Sequence, residues 1–385
     1  MVALPSLSQS VINGIVVTAG KGLPLQGASV FINGSSLGTA TATDGSFVLR
    51  IPESGSFEII VSFTGYNTLN YKVSATEIPR KVRFELDEKI DEMQSVIVEP
   101  ADKNGWQKWG DTFLKNFIGQ SELAENCVLR NPGIIKFRFN KTTRQLKADA
   151  PEALIIENRS LGYTIRYQLE LFNLNFSTSV LTNAGYQVFT PMEPKNARQK
   201  ARWIAARKEA YYGSMVHFIR SAYKNQVQQE GFEVRRLKKV KIKDSVMLSA
   251  ISFSSLRNKT IVNTPDTSSV KKYRYTYKSF DMLDKNLLPD TAFVKPDSAC
   301  DCKYLDFPDY LQVTYTREKE KRAYADQQFR RNTGFQISLL WLVNSVPVVI
   351  QANGLYFDPL ELFTTEYWAW EKLAEMLPSD YEPGE

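Results

Sequence analysis

One histidine, three cysteines and scattered aromatic and basic side chains are what this 385-residue chain offers to chemistry. His217 follows Ser214 by three positions, so a helix would place both on one face. A serine nucleophile also needs an orienting carboxylate and an oxyanion site, and no Gly-x-Ser-x-Gly elbow occurs. The expected role of His217 is therefore packing or hydrogen bonding. A single histidine also excludes a zinc site built from two histidines and a carboxylate. Cys300-Asp301-Cys302 lacks both the CxxC spacing and the second ligand pair of a metal centre. Asp297, Asp301, Asp306 and Asp309 surround it without the DxDxDG spacing of a calcium loop. No catalytic residue, metal or cofactor is expected. For the cysteines, two states are open: Cys127 pairs with Cys300 or Cys302, or all three stay reduced.

Binding chemistry is better represented. Residues 194–229 read as a long helix with a break at Gly213, and Trp203, Tyr211, Phe218 and Tyr223 recur on its apolar faces. The polar side carries Arg198, Lys200, Arg202, Arg207, Lys208, Arg220 and Lys224. Such a run is a solvated face or a patch for acidic partners, lipid headgroups and anionic glycans included. Arg198, Arg202, Arg207 and Lys208 are its candidates. Trp106, Trp109, Trp368 and Trp370 offer rings that stack on sugars, and Trp368 and Trp370 join the candidate ligand surface. Burial of these indoles would remove that idea.

The elements that must position these groups follow from composition and spacing. An apolar fraction of 43% with 12% aromatics supports a sizeable core, and a net charge of +6 gives no strongly basic domain, so no nucleic-acid partner is expected. The longest apolar run, 337–350, is interrupted by Asn344, Ser345 and Pro347, short of the roughly 18 residues of a membrane helix. The chain is thus peripheral to a membrane at most. Residues 1–10 lack the charged start of a signal peptide and read as a residual or truncated leader.

Between residues 24 and 65, short β-branched runs alternate with Asn33-Gly34, Asp44-Gly45, Ser54-Gly55 and Gly65, the pattern of a small antiparallel sandwich. Residues 81–86 alternate as its last strand. Residues 106–118 place Trp106, Trp109, Phe113 and Phe117 at helical spacing. Strands are expected at 134–139, 153–157, 163–172, 235–243, 246–253, 271–280, 310–316, 334–342 and 346–350. Exposed lysines on 235–243 read as a guard against edge pairing. A short amphipathic helix stopped by Pro378 is expected over 367–378.

Asn13-Gly14-Ile15-Val16, Gly22 through Val30, Gly38-Thr39, Thr43-Asp44-Gly45-Ser46-Phe47 and Ser62-Phe63-Thr64-Gly65-Tyr66 together resemble the carboxypeptidase regulatory-like domain. The resemblance implies a transthyretin-like seven-stranded β-sandwich, common in cell-envelope proteins of Bacteroidetes-type bacteria. Residues 158–165 and the closing Leu-Pro-Ser-Asp-Tyr-Glu-Pro also resemble larger envelope proteins that carry this sandwich. The expected organisation is a leader at 1–10, the sandwich at 11–98, a helical linker at 99–126, and a larger α+β domain of antiparallel sheet and helices at 127–385. The fold class is mainly β with α+β. The expected function is non-enzymatic, an interaction or scaffold protein of the periplasm or outer membrane whose sandwich docks on a protein partner. The alternatives are a glycan-binding protein or a carboxylate-dependent hydrolase acting in the C-terminal domain.

Overall fold

The computed structural model describes residues 10–52, 55–75, 77–79, 81–89, 100–241, 279–297 and 302–384. The expected strand at 246–253, residues 271–278 of the next one, Cys300, Asp301 and residues 1–9 of the expected leader lie outside them. The fold is mainly β.

Seven strands build the N-terminal sandwich: β1 (Ser10–Thr18), β2 (Ser29–Ile32), β3 (Gly38–Ala40), β4 (Ser46–Ile51), β5 (Ser56–Ser62), β6 (Leu69–Ser74) and β7 (Lys81–Leu86). One sheet runs β4-β1-β7 and the other β3-β2-β5-β6. Alternation decides what lies between them. In β4, Phe47, Leu49 and Ile51 point inward while Val48 and Arg50 face solvent. Phe57, Ile59 and Val61 of β5 meet them from the other sheet. One pairing departs from the antiparallel expectation: β7 lies parallel to β1, with Asn13 opposite Lys81 and Thr18 opposite Leu86.

Helix α1 (Gly105–Phe117) is more than a linker. Phe113 and Phe117 are fully buried and stack at 4.9 Å, and Phe113 meets Phe172 at 4.8 Å. Each such ring contributes about 2–3 kcal/mol through burial. They pack on a six-stranded sheet made of β8 (Cys127–Leu129), β9 (Lys136–Asn140), β10 (Gln145–Asp149), β11 (Leu154–Asn158), β12 (Tyr163–Asn175) and β13 (Val180–Pro191). β12 and β13 pair along their full lengths, from Tyr163 opposite Pro191 to Asn175 opposite Val180, with a bulge near Leu169.

Helices α2 (Ala197–Tyr211) and α3 (Met215–Tyr223) follow, broken at Gly213 as expected. Gly213 has φ +81°, and a Cβ there would sit 2.3 Å from Gln336 Oε1, so only glycine fits. Asn196 and Ser214 cap the two helices, accepting from the Gln199 and His217 amides.

The remaining chain adds a five-stranded sheet and a small three-stranded one. The first holds β14 (Phe232–Lys241), β15 (Ser279–Leu283), β18 (Tyr310–Lys319), β19 (Phe335–Leu342) and β21 (Leu362–Glu366) in the order β15-β14-β18-β19-β21. The second holds β16 (Val294–Pro296), β17 (Lys303–Leu305) and β20 (Val348–Ile350). β14 is therefore not an edge, since it is paired on both sides. Its lysines have other work: the Lys239 ammonium lies 4.6 Å from the centre of the Tyr310 ring.

Helix α4 (Arg322–Gln327) lies between β18 and β19, and α5 spans only Tyr367–Trp370. The amphipathic helix expected to run on to Pro378 breaks at Glu371, whose ψ is 129°, and resumes as one short turn at Leu373–Glu375. Two cores explain the break. Trp368 is buried among Phe218 and Phe232 with the five-stranded sheet, whereas Leu373, Ala374 and Leu377 are buried with the six-stranded sheet. A continuous helix cannot face both directions.

Candidate functional site

The sandwich is joined to the six-stranded sheet along a seam built largely from backbone. The turn after β2 inserts between β13 and the C-terminal segment. Gly34 donates to the Gln187 carbonyl (2.8 Å), Phe189 donates to Ser35 (2.9 Å), and Ser379 donates to Gly34 (2.7 Å). Ser36 completes the contact with both its amide (2.8 Å) and its hydroxyl on the Asp380 carboxylate. Beside these bonds Phe31 and Ile60, on the outer face of the four-stranded sheet, bury Val188. Tyr186 supports that cluster and accepts from Asn70 at 3.3 Å. One face of the sandwich is thus consumed within the chain.

Next to the seam lies a cleft of about 190 Å³. The sandwich contributes Ser29, Phe31, Thr64, Tyr66 and Lys89, and the six-stranded sheet contributes Asn131, Glu152, Ile155, Arg166 and Gln168. Gln168 is buried and accepts from the Ser62 hydroxyl (3.4 Å). Asn131 is fixed by the Ala153 carbonyl and the Ile155 amide, both at 2.9 Å. Arg166 and Lys89 make no ion pair among the described residues. An apolar wall of Phe31 and Ile155 stands beside these two cations and the Glu152 carboxylate, so the cleft has a net positive lining of mixed charge.

The basic face of α2 is only partly free. Arg198, Arg202 and Lys208 are exposed. Arg207 is committed: it donates to the Leu161 carbonyl (2.8 Å) and to Gly162 (3.3 Å), and its guanidinium lies 4.1 Å from the centre of the Tyr163 ring. Arg202 lines an open groove of about 890 Å³ with Arg159 and Lys195, but Glu122, Glu157 and Glu193 line it too, so its charge is mixed. Arg220 leaves the solvated face altogether. It is buried and donates to the carbonyls of Asn353 (3.0 Å), Ser379 (2.9 Å) and Tyr381 (3.0 Å).

Of the four tryptophans expected to offer rings to sugars, one is buried and three are half-buried. Trp368 is buried, with its indole nitrogen donating to the Gly213 carbonyl at 2.8 Å. Trp370 is half-buried against Tyr324 and Tyr367, and its buried nitrogen has no partner among the described residues. Trp106 and Trp109 are half-buried against Phe137 and Phe139. The cores need these rings as packing volume.

Ser214 and His217 do share a helix turn, but the serine acts as the α3 cap. The imidazole sits among Tyr211, Tyr212, Phe232 and Tyr315, with Nδ1 accepting from the Gly213 amide (3.2 Å) and Nε2 3.3 Å from Glu230. Burial drives its pKa down to about 4, against the pull of Glu230. Asp297 accepts from Tyr304 at 2.7 Å and Asp309 pairs with Arg236 at 2.5 Å, and no metal-binding cluster occurs among the described residues.

The cysteines follow neither expected state. Cys302 is disulfide-bonded while Cys127 is a free thiol. Burial, helped by the charge of Glu375, pushes the Cys127 pKa up to about 12, so it stays protonated and unreactive. Composition did not single out one further group. Glu371 and Glu375 both have raised pKa values, chiefly through burial. Glu375 is already engaged, accepting from the Ser121 hydroxyl and from the Lys372 amide (3.0 Å).

Residues 12–98 match the family described as the CarboxypepD_reg-like domain, which agrees with the seven strands seen there. A search of curated proteins gave no match. Among solved structures, a type II Cohesin-X-Dockerin complex from Acetivibrio cellulolyticus is 17% identical over 20% of this chain and 51% of its own, with a TM-score of 0.15. A 9R-lipoxygenase from Cyanothece PCC8801 is 8% identical over 58% of this chain and 49% of its own, with a TM-score of 0.17. This chain spans about half the length of each, and at those scores neither likeness bears on fold or function.

Proposed function

We propose that this is a non-enzymatic interaction protein of the bacterial cell envelope, periplasmic or outer-membrane-associated, in which the CarboxypepD_reg-like sandwich is a fixed docking head. The observation that carries the reading is the seam. Backbone bonds from Gly34, Ser35 and Ser379 and the burial of Val188 hold the four-stranded sheet against the rest of the chain, so the β4-β1-β7 sheet is presented in a set direction. Its outer face sets Val48 beside Asn13 and Val11 beside Arg50, with Lys81 and Arg83 on the neighbouring strand. Val48 is 58% and Val11 42% exposed. An apolar pair rimmed by cations fits an acidic protein surface, and edge strand β4 can add a partner strand.

The test is retention of envelope proteins by the tagged full chain, compared with Val48→Glu and a sandwich-deleted chain. The expected result is a discrete set of partners that is lost in both variants. Equal retention by the Val48→Glu protein would remove the docking face from the proposal.

The cleft supports a second reading, the capture of a small anionic ligand such as an acidic sugar, because Arg166 and Lys89 line it without an ion pair among the described residues and outnumber its one carboxylate, Glu152. Calorimetric titration with uronic acids, using Arg166→Ala as control, separates this reading from protein docking. Heat that persists in the variant removes the cleft as the site.

A further inference from the structure

Helix α4 ends in a crossed pair of backbone bonds, Phe329 N–H to the Asp326 carbonyl (3.0 Å) and Arg330 N–H to the Ala325 carbonyl (2.9 Å). This is a Schellman cap, whose left-handed position is normally glycine because a Cβ is disfavoured there. The residue in that position is Phe329, at φ +54°. Its side chain is 97% exposed. A bulky aromatic thus occupies the position where it costs most in backbone conformation, and it contributes no packing in return.

The tip is also braced. Glu320, 3% exposed, accepts from Arg330 (2.5 Å) on one side of the loop and from the Gly334 amide (2.9 Å) on the other, and its own amide donates to the Gly334 carbonyl (3.0 Å). Residues 319–335 carry five basic and two acidic side chains. Lys319 and Arg331 flank the tip without an ion pair among the described residues, and Phe335, cross-strand from Lys319, is 49% exposed.

We propose that this tip is a contact point for an anionic lipid surface. Phe329, with Phe335 behind it, enters the interfacial layer, while Arg331 and Lys319 meet headgroup phosphates. A projecting loop suits a lipid surface better than a protein one. A stable protein interface buries on the order of 1,200 Å² or more with matched shape, which a single tip does not provide, whereas a headgroup layer conforms to whatever enters it. The contact is independent of the sandwich face, so the two readings fail separately.

The experiment is sedimentation of the full chain with vesicles of phosphatidylcholine alone and of phosphatidylcholine containing phosphatidylglycerol, for the natural sequence, Phe329→Gly and Arg331→Glu. The natural chain is expected to bind the anionic vesicles and to lose that binding as salt rises. Phe329→Gly is expected to weaken binding about tenfold while melting no lower, because glycine suits the cap better than phenylalanine. That opposition of signs separates a lipid contact from a structural role. Arg331→Glu is expected to weaken binding several-fold. Three results overturn the proposal: no binding by the natural chain, equal binding to both vesicle types, or unchanged binding by Phe329→Gly.

Discussion

The guanidinium of Arg220 lies 2.9 Å from the carbonyl of Ser379, a residue 159 positions further along the chain. With Tyr381, Asn353 and the Glu382 carboxylate at 3.3 Å, it ties the C-terminal segment to helix α3. Substitution by methionine keeps the stem but strands three carbonyls. The expected cost is about 3 kcal/mol in urea unfolding, with earlier proteolysis after residue 378. Natural-like stability in Arg220→Met would mean that the segment is held by other contacts.

His217 predicts an acid limb in the stability curve. Its folded pKa, about 4, lies below its unfolded value near 6.5, so the unfolded chain takes up the proton first. Stability is full above pH 6.5, falls as pH drops towards 4, and loses on the order of 2–3 kcal/mol from this group. His217→Asn retains an acceptor for the Gly213 amide but does not titrate. Between pH 7 and 4.5 its melting temperature is expected to fall less than that of the natural chain, and parallel curves would count against this.

Glu371 works in the opposite direction. Burial first, and the nearby Glu375 second, raise its pKa, so folding favours the protonated acid. Its contribution is present at low pH and is lost as pH rises through the folded value. Glu371→Gln is therefore expected to be more stable than the natural chain at pH 8, with the advantage shrinking at pH 5. Thermal melts at the two pH values read both signs.

Val188, Phe31 and Ile60 make the seam apolar, so the sandwich and the six-stranded sheet are expected to unfold together in one calorimetric transition. Val188→Asp places a carboxylate between those two side chains and is expected to split the endotherm in two. A single, unshifted endotherm in the variant would show that the backbone bonds alone couple the parts.

The sandwich is legible in the sequence because its signals are local. Asn33-Gly34 and Asp44-Gly45 mark turns that need left-handed glycines, and both glycines have φ above +70°. The stripe of Phe113 and Phe117 and the break at Gly213 are local in the same sense. What escapes is decided at long range. Arg220 reads as one more cation on a solvated helix because its carbonyl partners lie 133 to 161 residues away. β13 is hidden by Asn183 and Gly185, polar and small residues that a strand normally avoids. The glycine is required because a Cβ there would sit 2.3 Å from the Gln168 carbonyl. The shortened α5 and the burial of Trp368 likewise follow from two cores competing for one segment.

The contact between Ser36 and Asp380 spans 344 positions. At a synthesis rate of roughly 5–20 residues per second, about 20 to 70 seconds separate the emergence of the two residues. The apolar part of the first domain's outer face closes earlier: Phe31 and Ile60 wait for Val188, about 8 to 30 seconds at the same rate, and only the polar latch at Asp380 waits for the end of the chain. The nascent chain therefore carries an apolar surface on its first domain that only the second sheet can cover. Demand for a holding chaperone should track the time taken to reach residue 188, and slowing the ribosome between residues 98 and 188 should raise aggregation even though every domain sequence is intact.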